Sequence, residues 1–347
     1  MHNNYFKLRI KAIKEETSDT KSFILDNIGS KALNYEAGQF LTLIFQHSNR
    51  EEVRRNYSIS SSAVMNEPLT ITVKKIPNGE FSRLLVDHAQ VGDLLYSIGA
   101  SGLFKLPKTV KSDKQRFCFF AAGSRITPIY AQIKTLLFGS QQKVLLVYSN
   151  RNPPSSIFLK DLLLLKDNFK ERFVLELLFS ESASIMESRL TQYVLDHFAE
   201  RHLLYQRNTF FYLCGPEAYM RMIYIKLRAE GVTADNIKRE LFVVHIPSYK
   251  LPEPPDKEEH EVRIYFNTQQ FSLPVQYPTS ILAAAKKQQI PLPYSCENGQ
   301  CGTCAAICTK GKVWMRYNEV LGEKAVNEGY ILTCTGYPIE GPVEIRI

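Results

Sequence analysis

Four of the seven cysteines follow a spacing that can bind an iron–sulfur cluster. Cys296, Cys301 and Cys304 form a C-x4-C-x2-C loop, and Cys334 follows after 29 intervening positions. A [2Fe–2S] cluster needs four thiolates on two irons, and this spacing is one of the few local patterns that supply them. The two glycines between these cysteines allow the loop to turn tightly, because glycine accepts a positive φ. The sequence therefore predicts a [2Fe–2S] cluster on these four residues.

Two other uses of four cysteines stay open at this point. A structural zinc site usually takes two closely spaced cysteine pairs, and Cys334 has no cysteine or histidine neighbour that would complete a second pair. Disulfide bonds need an oxidising compartment. The odd cysteine count and an N-terminus without a signal-peptide core favour a reducing one.

The composition is that of an ordinary globular protein with two or three domains. The chain has 347 residues, of which 44% are hydrophobic and 22% charged. No apolar run approaches the ~18 residues of a membrane span, so we expect no membrane and a cytoplasmic location. The net charge of +8 lies almost entirely upstream of residue 261 and is scattered. This pattern argues against nucleic acid and favours an anionic small ligand or an acidic protein partner.

The pattern of apolar residues changes along the chain. Residues 5–108 form short alternating strands between turn residues, which predicts a closed antiparallel β-barrel. From about residue 115, strands alternate with helices, which predicts an α/β domain whose parallel sheet is covered on both faces. A proline-rich and charged stretch then predicts an extended linker with nothing to bury. We therefore predict four segments, at residues 1–110, 111–247, 248–260 and 261–347.

The barrel segment contains residues suited to a flavin. Arg55, Tyr57 and Ser58 lie on one extended strand and offer a cation for a diphosphate, a flat ring for stacking and a donor for the flavin N5. Gly79 and Ser82 offer close backbone approach and a hydroxyl for phosphate. The candidate flavin contacts are Arg55, Tyr57, Ser58, Ile59, Val73, Gly79, Phe81 and Ser82.

The α/β segment contains residues suited to a dinucleotide. Gly123 and Ser124 follow a buried strand, and the sequence predicts that Thr127 caps the next helix with Pro128 at its first position. A helix N-terminus at the carboxyl end of a strand favours a pyrophosphate, because its free N–H groups and its dipole attract anions. After the next strand, Asn150 and Arg151 stand where NAD sites carry a carboxylate, and Arg151 could hold a 2′-phosphate.

These motifs occur in an order that resembles known redox families. Residues 5–247 are similar to ferredoxin-NADP reductase-like flavoproteins, and residues 261–347 resemble a plant-type ferredoxin. The whole chain resembles the reductase components of multicomponent oxygenases, of the phenylacetyl-CoA epoxidase type, with ketosteroid hydroxylase reductases as sisters. The resemblance implies a multidomain protein with an antiparallel FAD-binding β-barrel, an α/β NAD(P)-binding domain and an α+β, β-grasp ferredoxin domain. FMN stays open as an alternative, since some relatives with a C-terminal ferredoxin domain use it.

The resemblance also implies roles for individual residues. Cys214, Gly215 and Pro216 match the segment beside the nicotinamide, and Glu240 and Phe242 match the residues at the flavin edge. The candidate catalytic residues are therefore Tyr57, Ser58, Cys214 and Glu240.

One position departs from the family pattern. The family reads Gly-Ser-Gly-Ile-Thr-Pro after the first strand of the nucleotide domain, and this chain has Arg125 in place of the second glycine. Arg125 either binds phosphate or partly blocks the nucleotide site, and both outcomes stay open.

The function implied by the resemblance is electron transfer. Electrons would pass from NADH or NADPH to FAD, then singly to the cluster, and then to a protein acceptor, a diiron or Rieske oxygenase or desaturase. Two alternatives stay open. One is a reductase for an acceptor that is not an oxygenase. The other is a redox-sensing module in which Arg125 has disabled the nucleotide site.

Overall fold

The chain divides into two compact units, Met1–Glu240 and Leu241–Ile347. The first unit contains a β-barrel and a parallel sheet, and the second contains one mixed sheet. Among the residues described, no helix is both long and apolar enough to cross a membrane. The computed structural model describes residues 5–46, 52–107, 115–206, 208–242 and 251–347.

The first sheet closes into an antiparallel barrel, as the alternating strands predict. Its elements are β1 (Phe6–Thr17), β2 (Thr20–Asn27), β3 (Phe40–Gln46), β4 (Glu52–Ser58), β5 (Thr70–Lys74), the short helix α1 (Glu80–Arg83) and β6 (Leu94–Ser101). The strands follow the order β4-β3-β6-β1-β2-β5. The two ends meet because Ile59 pairs with Ile71 and the Ser60 N–H donates to the Thr70 carbonyl at 2.9 Å. Closure leaves no long exposed strand edge beside the flavin motif.

The second sheet is parallel and has helices on its faces. Its elements are β7 (Arg116–Ala122), α2 (Ile126–Gly139), β8 (Lys143–Asn150), α3 (Leu159–Asn168), β9 (Phe173–Phe179), α4 (Ile185–Ser188), α5 (Gln192–His202), β10 (Thr209–Cys214), α6 (Glu217–Ala229) and β11 (Ile237–Arg239). The strand order is β11-β10-β7-β8-β9. Strands β7 and β10 are buried on both faces, as their continuous apolar sequences require. Parallel strands bring the candidate nucleotide residues, which follow β7, β8 and β10, to one edge of the sheet.

The second unit is an α+β domain. Its elements are β12 (His260–Phe266), β13 (Gln269–Val275), α7 (Ile281–Lys287), β14 (Ala305–Met315), α8 (Glu323–Asn327), β15 (Tyr330–Leu332) and β16 (Gly336–Arg346). The strand order is β13-β12-β16-β14-β15, with β12 and β16 parallel and the other pairs antiparallel. Buried Ile281 and Leu282 of α7 pack on this sheet. The arrangement agrees with the predicted β-grasp fold.

The structure differs from the sequence prediction in several elements, which include α4, α5 and β11, since none of these three was predicted. Strand β2, Thr20–Asn27, was not predicted, although it pairs with both β1 and β5 and is needed to close the barrel. Helix α2 begins at Ile126 rather than at Pro128. A turn of 3₁₀-helix at Gly123–Arg125 runs directly into it, so helical geometry starts before the predicted cap.

The end of the predicted linker is attached to the second unit. Pro254 is buried, and the Asp256 carboxylate accepts the Glu340 N–H at 2.8 Å and contacts His260 Nε2 at 2.8 Å. The expectation that residues 248–260 have nothing to bury is therefore wrong for the part that begins at Pro254. Residues 243–250 lie outside the described residues, and the predicted domain boundaries stay predictions.

Candidate redox sites

The structure gathers the four cysteines into two pairs. The Cys301 side chain hydrogen-bonds that of Cys296, and the Cys334 side chain hydrogen-bonds that of Cys304. In each pair the hydrogen bond lowers the pKa of the acceptor thiol and raises the pKa of the donor. All four cysteines are free thiols, so no disulfide joins them. Two pairs of sulfurs suit two irons that share four thiolates.

The backbone of the loop needs glycine at two positions. Gly299 and Gly302 both have a φ of +72°, which is the left-handed region. A Cβ on Gly299 would also lie 2.6 Å from the Tyr317 carbonyl oxygen. The predicted tight turn is therefore present, and at Gly299 a side chain is excluded by the packing as well as by the backbone angle.

Backbone N–H groups of the loop point at the sulfurs. The Asn298 N–H donates to Cys296 Sγ at 3.4 Å, and the Gly299 N–H donates to Cys334 Sγ at 3.3 Å. Such bonds stabilise thiolates and tune a cluster held by them. Within the described residues, no three or more histidine, cysteine, aspartate or glutamate side chains surround a single metal-ion position, whereas each iron of a [2Fe–2S] cluster needs only two thiolates from the protein. The paired arrangement of donors fits a two-iron cluster.

The two flavin motifs, 24 positions apart in sequence, meet on the barrel surface. The Arg55 guanidinium lies 5.5 Å from the Phe81 ring centroid. Phe45 stacks on Phe81 at 4.5 Å and presents an edge to Tyr57 at 6.3 Å. An aromatic cluster therefore joins strand β4 to helix α1 and fixes the cation that the sequence predicts for a diphosphate.

The Gly79 turn is closely packed. A Cβ at Gly79 would lie 2.3 Å from Ile76 Cγ1 and 2.4 Å from Ser82 Oγ. The Ser82 hydroxyl accepts the Ile76 N–H at 3.3 Å and donates to the Gly79 carbonyl at 3.1 Å. This hydroxyl therefore shapes the turn, and a phosphate contact from it would replace one of these bonds.

The remaining flavin candidates, Tyr57, Ser58, Ile59 and Val73, are partly or fully buried. Burial raises the pKa of Tyr57, so its phenol stays neutral and its ring can stack. Ser58 is buried at the end of β4. The side chains of Ile59 and Val73 belong to the barrel core. A flavin contact from these two residues would therefore come from their backbone groups.

The third motif lies at the carboxyl end of β7. Gly123 has a φ of +58°, and no atom lies within 4 Å of the position of a Cβ. Thr127 Oγ1 donates to the Ser124 carbonyl at 2.8 Å and lies inside helix α2. The predicted N-cap at Thr127 is therefore wrong, and Arg125 occupies the cap position, with Pro128 buried in the first helical turn.

Cys214 and Glu240 lie together at the same edge of the sheet. Cys214 Sγ donates to the Glu240 carbonyl oxygen at 3.6 Å, and the Glu240 N–H donates to the Leu213 carbonyl at 3.1 Å. Burial raises the pKa of Glu240 to about 8 and raises the pKa of the Cys214 thiol well above its ordinary value. The positive charge of Arg125 opposes the shift of the thiol, so its guanidinium lies within electrostatic range of Cys214. The structure thus brings three separate predicted segments together.

Gly215 and Pro216 shape the start of helix α6. A Cβ on Gly215 would lie 2.5 Å from Tyr219 Cδ1, and Pro216 occupies the cap position before Glu217. Phe242, the last candidate of this group, is 41% exposed.

A cleft of about 370 Å³ opens beside the carboxyl ends of β8 and β9. Asn150 lines it, whereas Arg151 does not: its side chain is 76% exposed and its Nε lies 3.7 Å from Glu181 Oε1. The cleft contains a different cation, Arg189, which the sequence analysis missed because it lies outside any recognised motif. The polar and aromatic lining residues include Ser149, Asn150, Ser180, Arg189, Thr191 and Tyr219.

Comparison with known proteins matches three family models to consecutive parts of the chain. Residues 7–106 match an oxidoreductase FAD-binding domain, residues 119–224 an oxidoreductase NAD-binding domain, and residues 264–338 a 2Fe-2S iron-sulfur cluster binding domain.

Full-length relatives carry the same three parts in one chain. The chain is 30% identical to the ferredoxin reductase component of 3-ketosteroid-9-alpha-monooxygenase from Rhodococcus rhodochrous, over 98% of this chain and 96% of the relative. It is 29% identical to one of the subunits of 1,2-phenylacetyl-CoA epoxidase from Escherichia coli K12, over 98% of this chain and 97% of the relative. The chain belongs to this family of oxygenase reductase components. The predicted FAD, pyridine nucleotide and [2Fe–2S] cofactors of this reductase are thereby confirmed.

Solved structures confirm the fold of this reductase. Phthalate dioxygenase reductase matches with a TM-score of 0.61 at 21% identity, over 99% of this chain and 98% of that chain. An intact type IV self-sufficient cytochrome P450 monooxygenase matches with a TM-score of 0.71 at 19% identity, over 99% of this chain and 41% of that chain. The predicted multidomain architecture of barrel, parallel sheet and ferredoxin domain is correct.

Proposed function

We propose that this reductase takes electrons from NADH or NADPH, passes them through FAD to the [2Fe–2S] cluster, and delivers them singly to an oxygenase component. The observation that carries this proposal is the pairing of the four cysteine sulfurs under backbone N–H donors. A one-electron carrier in the same chain as a flavin domain is needed where the final acceptor takes electrons one at a time.

Each cysteine pair holds one iron. Cys296 and Cys301 form the first ligand pair, and Cys304 and Cys334 form the second. The loop N–H groups stabilise the negative charge of the sulfurs, and the glycines allow these groups to converge.

The barrel surface binds FAD. Bound FAD supplies the exchange between a two-electron hydride and single electrons. Arg55 binds the diphosphate beside the Gly79 turn, because its planar, permanently charged fork suits phosphate oxygens. Tyr57 flanks the isoalloxazine ring, and Ser58 donates near N5.

The edge of the parallel sheet binds the nucleotide. The adenosine end enters the cleft beside Arg189 and Tyr219, and the Gly123–Arg125 turn faces the pyrophosphate. Cys214 borders the nicotinamide. The Glu240 carboxyl, whose pKa is raised to about 8, holds its proton at neutral pH and can act there as a hydrogen-bond donor.

The acceptor is an oxygenase or desaturase component that contains a diiron or Rieske centre. Support comes from relatives named as components of 3-ketosteroid-9-alpha-monooxygenase, 1,2-phenylacetyl-CoA epoxidase and glycine betaine monooxygenase. We place the reaction in the cytoplasm, where thiols are kept reduced.

Anaerobic titration of the purified holoprotein with NADH and with NADPH tests the electron path. We expect bleaching of the flavin absorbance followed by the electron paramagnetic resonance signal of a reduced cluster. A flavin that neither nucleotide bleaches, in protein that dithionite reduces fully, would indicate a closed nucleotide site and favour the sensing alternative. Affinity capture of the acceptor tests the partner, and recovery of a redox protein that is not an oxygenase would favour the other alternative.

A further inference from the structure

Helix α2 joins the NAD-binding domain to the FAD-binding domain. It begins beside the Gly123–Arg125 turn, and its later turns contact the segment that follows the flavin strand β4. The Ser62 and Thr135 hydroxyls share a hydrogen bond at 2.8 Å. Lys134 Nζ lies 2.5 Å from Glu67 Oε2. The helix that presents the nucleotide turn is therefore anchored to the barrel.

In the Glu67–Lys134 ion pair Lys134 is buried and Glu67 is partly buried, with 28% of its side chain exposed, and further groups contact both partners. Only 7% of the Lys134 side chain is exposed, and its Nζ lies 4.3 Å from the Tyr130 ring centroid. Glu67 Oε2 also accepts the Ser62 N–H at 2.6 Å. A buried charge is costly unless it is paired and hydrogen-bonded, so separation of these two side chains is strongly opposed.

Other contacts between the two domains show which restraints are strong. Buried Gln132, also on α2, donates through Nε2 to the Phe104 carbonyl oxygen. Lys14 of β1 lies 3.3 Å from both Asp161 of α3 and Glu16 of its own strand, and 56% of the Lys14 side chain is exposed. Exposed ion pairs contribute little, so the directional restraint comes from the buried contacts of α2.

We propose that the Glu67–Lys134 pair positions the nucleotide-binding turn against the flavin strand. From Lys134 to Arg125 the helix is a rod of about 13 Å, so a shift at Lys134 is transmitted to the turn. Hydride transfer is sensitive to such shifts, since a misplacement of ~1 Å can lower a rate ~10²-fold. This inference rests on the proposed function, because it gives the pair a role in the transfer from nucleotide to flavin.

The test compares Lys134→Met with Lys14→Met in the FAD-loaded holoprotein. Each change keeps an apolar stem of similar length and removes one charge that bridges the two domains. Anaerobic stopped-flow at saturating nucleotide measures the limiting rate of flavin reduction and the nicotinamide–flavin charge-transfer absorbance. We expect Lys134→Met to lower the rate about tenfold or more and to weaken the absorbance band. Lys14→Met should stay within about twofold of the wild type.

A double variant separates positioning from stability. Lys134→Met leaves the partly buried Glu67 without its partner and can destabilise the fold, whereas Glu67→Leu with Lys134→Met replaces the pair by apolar side chains, which is often neutral for stability. Slow flavin reduction in a double variant that melts like the wild type supports the positioning role. Recovery of the rate together with stability overturns it, as does an unchanged rate in FAD-loaded Lys134→Met.

Hydrogen–deuterium exchange without nucleotide adds a readout that does not depend on turnover. Faster exchange of the first turn of α2 in Lys134→Met, but not in Lys14→Met, supports the inference, and equal exchange in both contradicts it. Failure of the proposed function looks different, because then neither nucleotide reduces the flavin of the wild-type protein. Failure of the inference alone leaves the wild type and Lys134→Met equally fast.

Discussion

The geometry of the cluster loop is set by one short segment, whereas that of the candidate nucleotide site is set by several segments that are distant in sequence. Three of the four cluster cysteines lie within the nine residues from Cys296 to Cys304, and the backbone of the same loop supplies N–H donors to the sulfurs. The candidate nucleotide site combines residues that follow β7, β8, β9 and β10, from Gly123 to Glu240. A site made by one loop depends on the angles of that loop. A site made by a sheet edge depends on packing elsewhere, which is where the Glu67–Lys134 pair acts.

The largest effect is expected at the cluster. Cys334→Ser removes one thiolate from the second sulfur pair, so we expect loss of iron, of the cluster absorbance and of electron delivery to the acceptor. Reduction of the flavin by nucleotide should persist, because all the flavin and nucleotide candidates except Phe242 belong to the other unit. Cys308→Ser is the matched control, since Cys308 belongs to neither pair. Full iron content in Cys334→Ser would show that the fourth ligand has been assigned to the wrong residue.

Alanine substitutions at two glycines of the ferredoxin domain can distinguish the cost of backbone strain from the cost of a steric clash. Gly341 has a φ of +118° with nothing within 4 Å of a Cβ, whereas a Cβ at Gly299 would lie 2.6 Å from Tyr317 O. Gly341→Ala should cost about 1–3 kcal/mol through strain alone. Gly299→Ala should lower the free energy of unfolding by more than Gly341→Ala does. It should also make the loss of iron severalfold faster than in Gly341→Ala, as measured by iron content and cluster half-life. Equal effects of the two changes would mean that the loop relaxes away from Tyr317.

The sheet-edge site should respond to pH through Glu240. Its pKa is raised from 4.5 to about 8 by burial, so the folded state binds the proton more tightly than the unfolded state. The stability from this group is present below pH ~4.5 and is lost as pH rises towards ~8, by at most about 1.4 kcal/mol per pH unit. Glu240→Gln should flatten this slope in unfolding experiments followed by flavin release. Glu217→Gln, an exposed change on α6, should keep the slope, and a slope that survives in Glu240→Gln would exclude this carboxyl as its source.

The smallest effect is expected at Arg189. If the cleft binds the adenosine end, Arg189→Ala should raise the KM for NADPH by about tenfold or less, because it removes a charged partner of the 2′-phosphate in a solvent-accessible place. The KM for NADH should change little. Arg151→Ala should leave both values nearly unchanged, since Arg151 faces Glu181. If Arg151→Ala raises the KM for NADPH more than Arg189→Ala does, Arg151 holds the 2′-phosphate, as the sequence analysis suggested.

Most of the fold could be predicted because the signals are local. The continuous apolar strands β7 and β9 were placed at the residues where the structure has them, and the change from alternating to helical periodicity separated the barrel from the parallel sheet. Strand β2 was missed, and its identity depends on pairing with β1 and β5 rather than on its own pattern. The cap of α2 was misplaced because a 3₁₀ turn continues directly into the helix.

The candidate sites also contain features that local sequence predicts and features that depend on tertiary packing. The cluster ligands and the glycines of their loop follow from residue type and spacing, since sulfur chemistry and positive φ are properties of single residues. The presence of Arg189 rather than Arg151 in the cleft, and the contact between Arg55 and Phe81, could not be predicted from spacing, because each depends on how distant segments pack.

By itself, the amino-acid sequence determined the redox chemistry of this protein: four thiols at cluster spacing, a flavin strand and a nucleotide domain in fixed order. The tertiary structure decided which side chains serve that chemistry. In the tertiary structure the cysteine sulfurs are paired, and Lys134 forms an ion pair with Glu67. Burial of Glu240 raises the pKa of its carboxyl, which therefore retains its proton at neutral pH. The type of ligand atom and the allowed backbone angles are properties of individual residues. The desolvation of a side chain and its orientation depend on residues that are distant in sequence and exclude water when they pack together.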